Sequence, residues 1–128
     1  MNDHKLSPVT IEDHVNKAPE SIKGTLNLLR TKIKELENVQ EYATRAYIGY
    51  KLKAYKTLFV EMHIQTKKEQ IVLHLKPVEY NDPDNKIFLY PYVPKWPLRS
   101  GINITNEEEL DYALPFIKES YKAVVELL

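Results

Sequence analysis

The sequence predicts an α+β domain in which an antiparallel sheet of three to five strands, arranged as a meander, carries N-terminal helices and a C-terminal helix on one face. Two patterns predict this class. Apolar residues recur at spacings of three and four near both ends of the chain, and they alternate with polar residues in the middle. The length of 128 residues suits one domain, expected over residues 9–128 after a flexible N-terminus at residues 1–8.

The first helices are predicted near the N-terminus. Ile11 and Val15 lie four residues apart and indicate a short helical turn. Pro19 suits the first position of a second helix, because its fixed φ is helical and its missing N–H is not needed there. The apolar stripe of this helix consists of Ile22, Leu26, Leu29, Ile33 and Leu36. We expect the helix to end near Asn38.

A β-hairpin is predicted in the middle of the chain. The segments LFVEMHIQ (58–65) and QIVLHL (70–75) both alternate apolar and polar residues, and the polar TKKE between them makes a four-residue loop. If Gln65 pairs with Gln70, His63 faces Val72 and Glu61 faces His74. An earlier strand around residues 44–51 is expected beside the first of these strands.

Turn and cap residues organise the C-terminal third. The segment NDPDN (81–85) ends the meander, and residues 86–93 are expected at a sheet edge because the neighbouring prolines cannot donate to a strand ladder. Ile102 and Ile104 indicate a last short strand. Thr105 or Asn106 then caps the final helix, which Pro115 is expected to bend or split.

The amino-acid composition excludes several kinds of functional site and several classes of protein. There is no cysteine, which rules out disulfides, thiolate metal sites and a cysteine nucleophile. The N-terminus lacks the apolar core of a signal peptide, and no apolar run is long enough to span a bilayer, so we expect a soluble cytoplasmic protein without a membrane partner. Eighteen basic and eighteen acidic residues cancel, although stretches 43–58 and 86–101 contain cations and no acid.

The central and C-terminal motifs resemble an uncharacterised bacterial domain family whose members are often labelled "predicted transport protein". The resemblance covers residues 42–122. It is carried by AYIGYKLKAYKTLFVEMHIQTKKEQIVLHLKPVEYNDPDN, by the later Trp-to-Gly element and by EEELDYALPFIKESY. The matching positions are Tyr47, Lys51, Phe59, Val60, Leu75, Lys76, Asp82, Pro83, Trp96, Gly101, Asp111, Tyr112, Ile117, Lys118, Ser120 and Tyr121.

The resemblance implies which kinds of protein this domain accompanies, and it does not imply a particular reaction. Such domains resemble C-terminal appendages of larger proteins, including restriction-type nucleases of the GmrSD kind, which implies proximity to nucleic acid. Where the family tends to have a His-Trp-Gly-x-Gly loop, this chain has Lys95, Trp96 and Pro97, so a histidine-dependent chemistry in this loop is not expected. The transport label finds no support in these residues.

The favoured functional prediction is a non-catalytic domain that contacts nucleic acid or a nucleotide-like ligand through a basic, aromatic face. Cations neutralise phosphates and aromatic rings stack on bases. The candidate ligand-binding residues are Arg45, Tyr47, Lys51, Lys53, His74, Lys76, Tyr92, Lys95, Trp96 and Arg99. The alternative is that the aromatic residues only pack the sheet and the lysines only keep it soluble.

Two further functions are considered. Glu61 and the His74-x-Lys76 element lie on paired strands, as in metal-dependent nucleases, but one carboxylate with an imidazole is a poor Mg²⁺ site, so no metal, cofactor or catalytic residue is expected. A simple cross-strand Glu–His pair is the alternative. His4 and His14 do not support zinc. Protein-partner or small-molecule binding as a homodimer, with the edge at residues 86–93 in the interface, is the remaining possibility.

Overall fold

The computed structural model describes residues 9–127, so the predicted flexible segment 1–8 and Leu128 lie outside the described residues. One antiparallel sheet contains six strands in the order β1-β2-β3-β4-β6-β5. The elements are α1 (Ile11–Lys17), α2 (Glu20–Lys34), β1 (Val39–Ala43), β2 (Ile48–Leu52), β3 (Leu58–Gln65), β4 (Gln70–Leu75), β5 (Phe88–Leu89), β6 (Ser100–Ile104) and α3 (Glu107–Glu126). The predicted α+β class is confirmed, with one strand more than the expected range.

The N-terminal helices begin where the sequence indicates. In α1, Thr10 Oγ1 accepts a hydrogen bond from the Asp13 amide at 3.1 Å, and the Asp13 carboxylate accepts one from the Thr10 amide at 2.9 Å. In α2, the buried residues are Ile22, Leu26, Leu29 and Ile33, as the stripe predicts. The helix ends at Lys34, earlier than expected, and Asn38 then adopts a left-handed conformation with φ 61° that turns the chain into β1.

The first strand and the turn after it differ from the prediction. Strand β1 was not expected, and residues 44–47 form a turn instead of the beginning of a strand. The Thr44 hydroxyl accepts hydrogen bonds from the amides of Ala46 and Tyr47 at 3.2 and 3.1 Å, which closes this turn. Side-chain bonds of this kind compete with a strand ladder. The predicted strand therefore starts later, at Ile48.

The β3–β4 hairpin has the predicted register. Gln65 lies opposite Gln70, His63 opposite Val72 and Glu61 opposite His74. The other edge of β4 pairs with β6, and the short β5 completes the sheet at its edge, within the range 86–93 that was expected there. The β3–β4 hairpin therefore forms the centre of the sheet, with β2 paired to β3 and β6 paired to β4.

One face of the sheet packs against α2 and α3. The buried side chains that the sheet contributes to this core include Ile48, Tyr50, Val60, Met62, Ile71, Leu73, Leu75, Ile102 and Ile104. Helix α3 has 20 residues and begins at Glu107, and the side chain of its N-cap residue Asn106 accepts from the Glu109 amide at 2.8 Å. Pro115 does not split the helix, because buried residues on both sides of it hold the two halves against the same sheet face.

A charged network joins α2 to the first two strands. The Arg30 guanidinium donates to both carboxylate oxygens of Glu41 at 2.9 and 3.1 Å, and the Tyr50 hydroxyl donates to Glu41 at 2.7 Å. Burial raises the pKa of Glu41, but the hydrogen bonds from Arg30 and Tyr50 outweigh it, and the net pKa lies below the ordinary value. The carboxylate is therefore ionised and paired at neutral pH.

A buried serine connects α3 to the ends of the central strands. The Ser120 hydroxyl donates to the Phe59 carbonyl at 2.6 Å and accepts from the Lys76 amide at 3.0 Å. Its side chain is fully buried, and the bond to the Phe59 carbonyl is buried as well, so this carbonyl has no water as a substitute partner. One hydroxyl thereby satisfies a donor and an acceptor on two strands.

The substitution Ser120→Ala tests this connection. It leaves a buried carbonyl and a partly buried amide without the hydroxyl as partner, and we expect the free energy of unfolding to fall by about 1–3 kcal/mol. Urea denaturation followed by circular dichroism measures the change. Lys118→Ala, at an exposed position of the same helix, is the matched control and is expected to have little effect. Equal stability of the two variants would contradict this role.

Candidate functional site

The sheet face opposite the helices carries one continuous row of residues, one from each strand. Antiparallel pairing aligns Tyr42, Gly49, Glu61, His74, Gly101 and Phe88 across the six strands. Successive side chains of a strand point to opposite faces, and the residues that flank this row in β2, β3 and β4 pack into the core. The row therefore lies on the outer face. We call it the central row.

The two glycines of the central row allow close contact with aromatic rings. A Cβ atom at Gly49 would lie 2.7 Å from a ring carbon of Tyr42, and one at Gly101 would overlap the ring of Phe88. Each glycine is thus covered by an aromatic ring from the adjacent edge strand. Glycine is needed here for space and not for an unusual backbone conformation.

Two histidines and a glutamate meet between the glycines. Nε2 of His63 lies 3.2 Å from Oε1 of Glu61, and the rings of His63 and His74 stack with centroids 4.2 Å apart and planes inclined by 25°. Glu61 is 6% exposed and His74 is 8% exposed. The sequence predicts the Glu61–His74 pair, and the structure adds His63 to it.

Aromatic side chains surround this cluster on both sides. Tyr47, from the turn before β2, has its ring centroid 5.4 Å from that of His63. On the other side, the rings of Tyr90 and Trp96 lie 5.0 and 4.9 Å from that of His74. The proline-rich segment between β5 and β6, residues 90–99, brings both of these residues over the sheet. The cluster is therefore enclosed by rings and only partly open to solvent.

His74 is electrically neutral at ordinary pH. The pKa of His74 is lowered to about 4, chiefly by burial and also by the nearby His63, while Glu61 acts in the opposite direction. Its Nδ1 atom is buried and has no hydrogen-bond partner among the described residues. Buried polar atoms are normally satisfied, so this nitrogen is an exception in the molecule.

Next to the cluster lies a cleft between the proline-rich segment and the end of α3. It has a volume of about 710 Å³, and its lining includes Lys76, Tyr92, Trp96 and Arg99. We call it the cationic cleft. Arg99 Nε donates to the Tyr90 carbonyl at 3.2 Å, and the guanidinium carbon lies 5.4 Å from the centroid of the Tyr92 ring. The arginine is thus held in place by a hydrogen bond and a cation–π contact.

The ten predicted ligand-binding residues occupy several places. Four line the cationic cleft, and His74 lies beneath Trp96. Tyr47 packs on His63, Lys51 Nζ lies 5.6 Å from the Tyr42 ring centroid, and Arg45 is exposed in the turn before β2. Lys53 lines a separate cavity of about 460 Å³, and Lys95 is exposed beside Trp96 without lining the cleft.

The residue that sequence reasoning did not select is His63. The signal for it is present in the sequence, because Glu61 and His63 are two residues apart in a strand and so share a face. His74 joins them through the hairpin register. Treating all three as one cross-strand set would have identified the cluster.

Comparison with known proteins shows the family of the chain. A family model described as a domain of unknown function (DUF5655) matches residues 11–124, and the chain belongs to this family. The comparisons with curated proteins and with solved structures gave no significant match. The expected membership of an uncharacterised domain family is thereby confirmed. Separately, none of the helices within residues 9–127 is long and apolar enough to cross a membrane.

The substitution Gly101→Ala tests the close contact on the central row. The new methyl group would displace Phe88 and Tyr90, and we expect the free energy of unfolding to fall by about 1–3 kcal/mol. The emission of Trp96 should also shift, because Tyr90 packs against it. Chemical denaturation and tryptophan fluorescence measure both effects.

Gly24→Ala provides a matched control for this prediction. Gly24 lies inside α2, and a Cβ atom there would meet nothing within 4 Å. Alanine in a helix interior is favoured over glycine by roughly 0.5–1 kcal/mol, so this variant should be more stable than the original chain. If Gly101→Ala were as stable as the Gly24→Ala control, the close contact between Gly101 and the Phe88 ring would not constrain the site.

Proposed function

We propose that this chain is a non-catalytic binding domain whose cationic cleft holds a nucleotide, either free or within a single strand of nucleic acid. The observation that supports the proposal is that two cations and two aromatic rings line the same cleft. Lys76 and Arg99 supply positive charge, and Tyr92 and Trp96 supply ring faces. Phosphate and base are the two chemical parts of a nucleotide, and the cleft offers a partner for each.

The charged residues suit a phosphate group. A guanidinium group binds phosphate oxygens in a fixed planar geometry, and a lysine adds a point charge. Arg99 is already ordered by Tyr90 and Tyr92, so little conformational freedom is lost when a ligand binds. Glu126 also lines the cleft, which leaves two cations against one acid.

The aromatic residues suit a base. Tyr92 is 69% exposed, so its ring is available to a ligand. Trp96 is only partly exposed and is held against Tyr90 and His74. Stacking of a base on such rings contributes about 1–3 kcal/mol for each base and tolerates different sequences. The two rings therefore favour single-stranded or free nucleotides over a duplex.

The volume of the cationic cleft and the acidic lining of the other large cavity both agree with this assignment. A volume of about 710 Å³ is typical of small-ligand sites. The other large cavity, of about 600 Å³, is lined by Glu79, Asp111 and Glu119 and would repel a phosphate. The charge distribution thus distinguishes the two cavities.

The context that we propose is an accessory role beside nucleic-acid-processing enzymes of the cytoplasm. Its support is the resemblance to C-terminal domains of restriction-type nucleases, together with the cation–aromatic pairing in the cleft.

Self-association is the second candidate, and one observation favours it. Leu89, Tyr92 and Val93 are 61%, 69% and 45% exposed at or beside the edge strand β5. Such apolar groups at a sheet edge suit a two-fold contact with a second copy of the chain. We expect Leu89→Lys to convert a dimer to a monomer in sedimentation experiments. A chain that sediments as a monomer without the substitution would exclude this candidate.

The substitutions Arg99→Ala and Lys76→Ala test the cationic cleft. Each removes one charge that would face a phosphate, and we expect affinity to fall by about tenfold or more for each. The measurement is fluorescence anisotropy of a labelled oligothymidine at two salt concentrations, with adenosine monophosphate as competitor. Competition by the mononucleotide would indicate a single-nucleotide site, and its absence would indicate recognition of a strand.

Lys68→Ala is the matched control, since Lys68 is an exposed cation in the β3–β4 loop. It should leave the affinity unchanged. If neither the oligonucleotide nor the mononucleotide binds at low salt, the proposed function is wrong. Equal losses of affinity in Arg99→Ala and Lys68→Ala would indicate non-specific electrostatic attraction instead of binding in the cationic cleft.

A further inference from the structure

Side chains that divalent transition metals prefer as ligands converge on the outer face of the sheet. Glu61, His63 and His74 each offer one ligand atom, and these atoms all lie within 4.8 Å of one another. The arrangement follows from strand geometry, because Glu61 and His63 alternate on β3 and His74 lies opposite Glu61 on β4. Adjacent strands fix the backbone of all three residues.

We propose that Glu61, His63 and His74 bind a divalent transition-metal ion of the zinc class. Two imidazole nitrogens and one carboxylate oxygen suit such ions, whereas Mg²⁺ and Ca²⁺ prefer oxygen ligands. Three protein ligands leave at least one coordination position for water or another small ligand. The site differs from the Mg²⁺-dependent nuclease arrangement considered from the sequence, because His63 takes part and the ion is of another class.

The state of His74 supports this assignment. Its Nδ1 atom is buried without a hydrogen-bond partner among residues 9–127. Buried ring nitrogens normally have a hydrogen-bond partner, so one without a partner calls for an explanation. A bound ion gives the imidazole the partner that the protein does not provide.

Binding requires one rearrangement. A metal ion lies in the plane of each imidazole that binds it, whereas the rings of His63 and His74 are stacked 4.2 Å apart at 25°. The His74 ring is held by Tyr90 and Trp96, but the His63 side chain is 27% exposed. His63 is therefore the residue that rotates, and the stack opens when the ion binds.

Trp96 makes the site observable without a label. It is the single tryptophan of the chain, and its ring lies 4.9 Å from that of His74. Cu²⁺ and Co²⁺ quench indole fluorescence at short range, whereas Zn²⁺ does not. The experiment titrates the complete chain with Co²⁺ while following Trp96 emission, and then adds Zn²⁺ as a competitor.

We expect saturable quenching by Co²⁺ that Zn²⁺ reverses. His63→Gln and Glu61→Gln should each weaken Co²⁺ binding by more than about tenfold. His63→Gln is the more informative variant, because a partly exposed side chain is replaced by a polar one and circular dichroism can confirm that the chain remains folded. Zn²⁺ should also raise the melting temperature of the original chain and not that of His63→Gln.

His4→Gln is the matched control, since it removes a histidine from outside the described residues and should leave the quenching unchanged. The proposal is overturned if the original chain shows no saturable quenching, if His63→Gln binds Co²⁺ as tightly as the original chain, or if His4→Gln abolishes binding. Nucleotide binding is measured separately and uses other residues, so failure of either proposal leaves the other open to its own test.

Discussion

The register of the β3–β4 hairpin determines which face of the sheet each central side chain occupies. Side chains alternate along a strand, so a shift of one residue would exchange the two faces. With Gln65 opposite Gln70, Met62 and Leu73 enter the core while Glu61 and His74 lie outside it. The helices pack on the apolar face, and the polar face becomes available for a site. The core and the candidate site therefore depend on the same pairing.

Periodic features could be predicted from the sequence, and features set by single side chains could not. The stripe of α2 and the alternation in β3 and β4 depend on repeated apolar positions, which the sequence displays directly. The end of α2 and the start of β2 depend instead on Asn38 in a left-handed conformation and on hydrogen bonds to Thr44. Pro115 is tolerated because tertiary packing outweighs its local effect on the helix.

The cationic cleft was only partly predictable for a different reason. The sequence shows the cations and rings of the proline-rich segment, but their convergence depends on contacts between distant positions. Leu98 is fully buried and anchors the segment, and the Tyr90 amide donates to the Arg99 carbonyl at 2.8 Å. Once the segment is fixed in this way, Trp96 faces His74 on one side and the cleft on the other. The two proposed sites thus share a wall.

The centre of the outer face contains several residues that normally lower the stability of a β-sheet. Gly49 and Gly101 lie inside strands, where glycine lowers stability. Glu61 is a largely buried acid whose hydrogen-bond partner is one histidine, and His74 retains a buried nitrogen without a partner in the part of the chain that the structure describes. Apolar residues at these positions would give a more stable sheet. Departures of this kind normally coincide with functional sites, and here they occur side by side beneath a ring of aromatic residues. Stability of the sheet alone therefore does not account for this face, and we propose that ligand binding does.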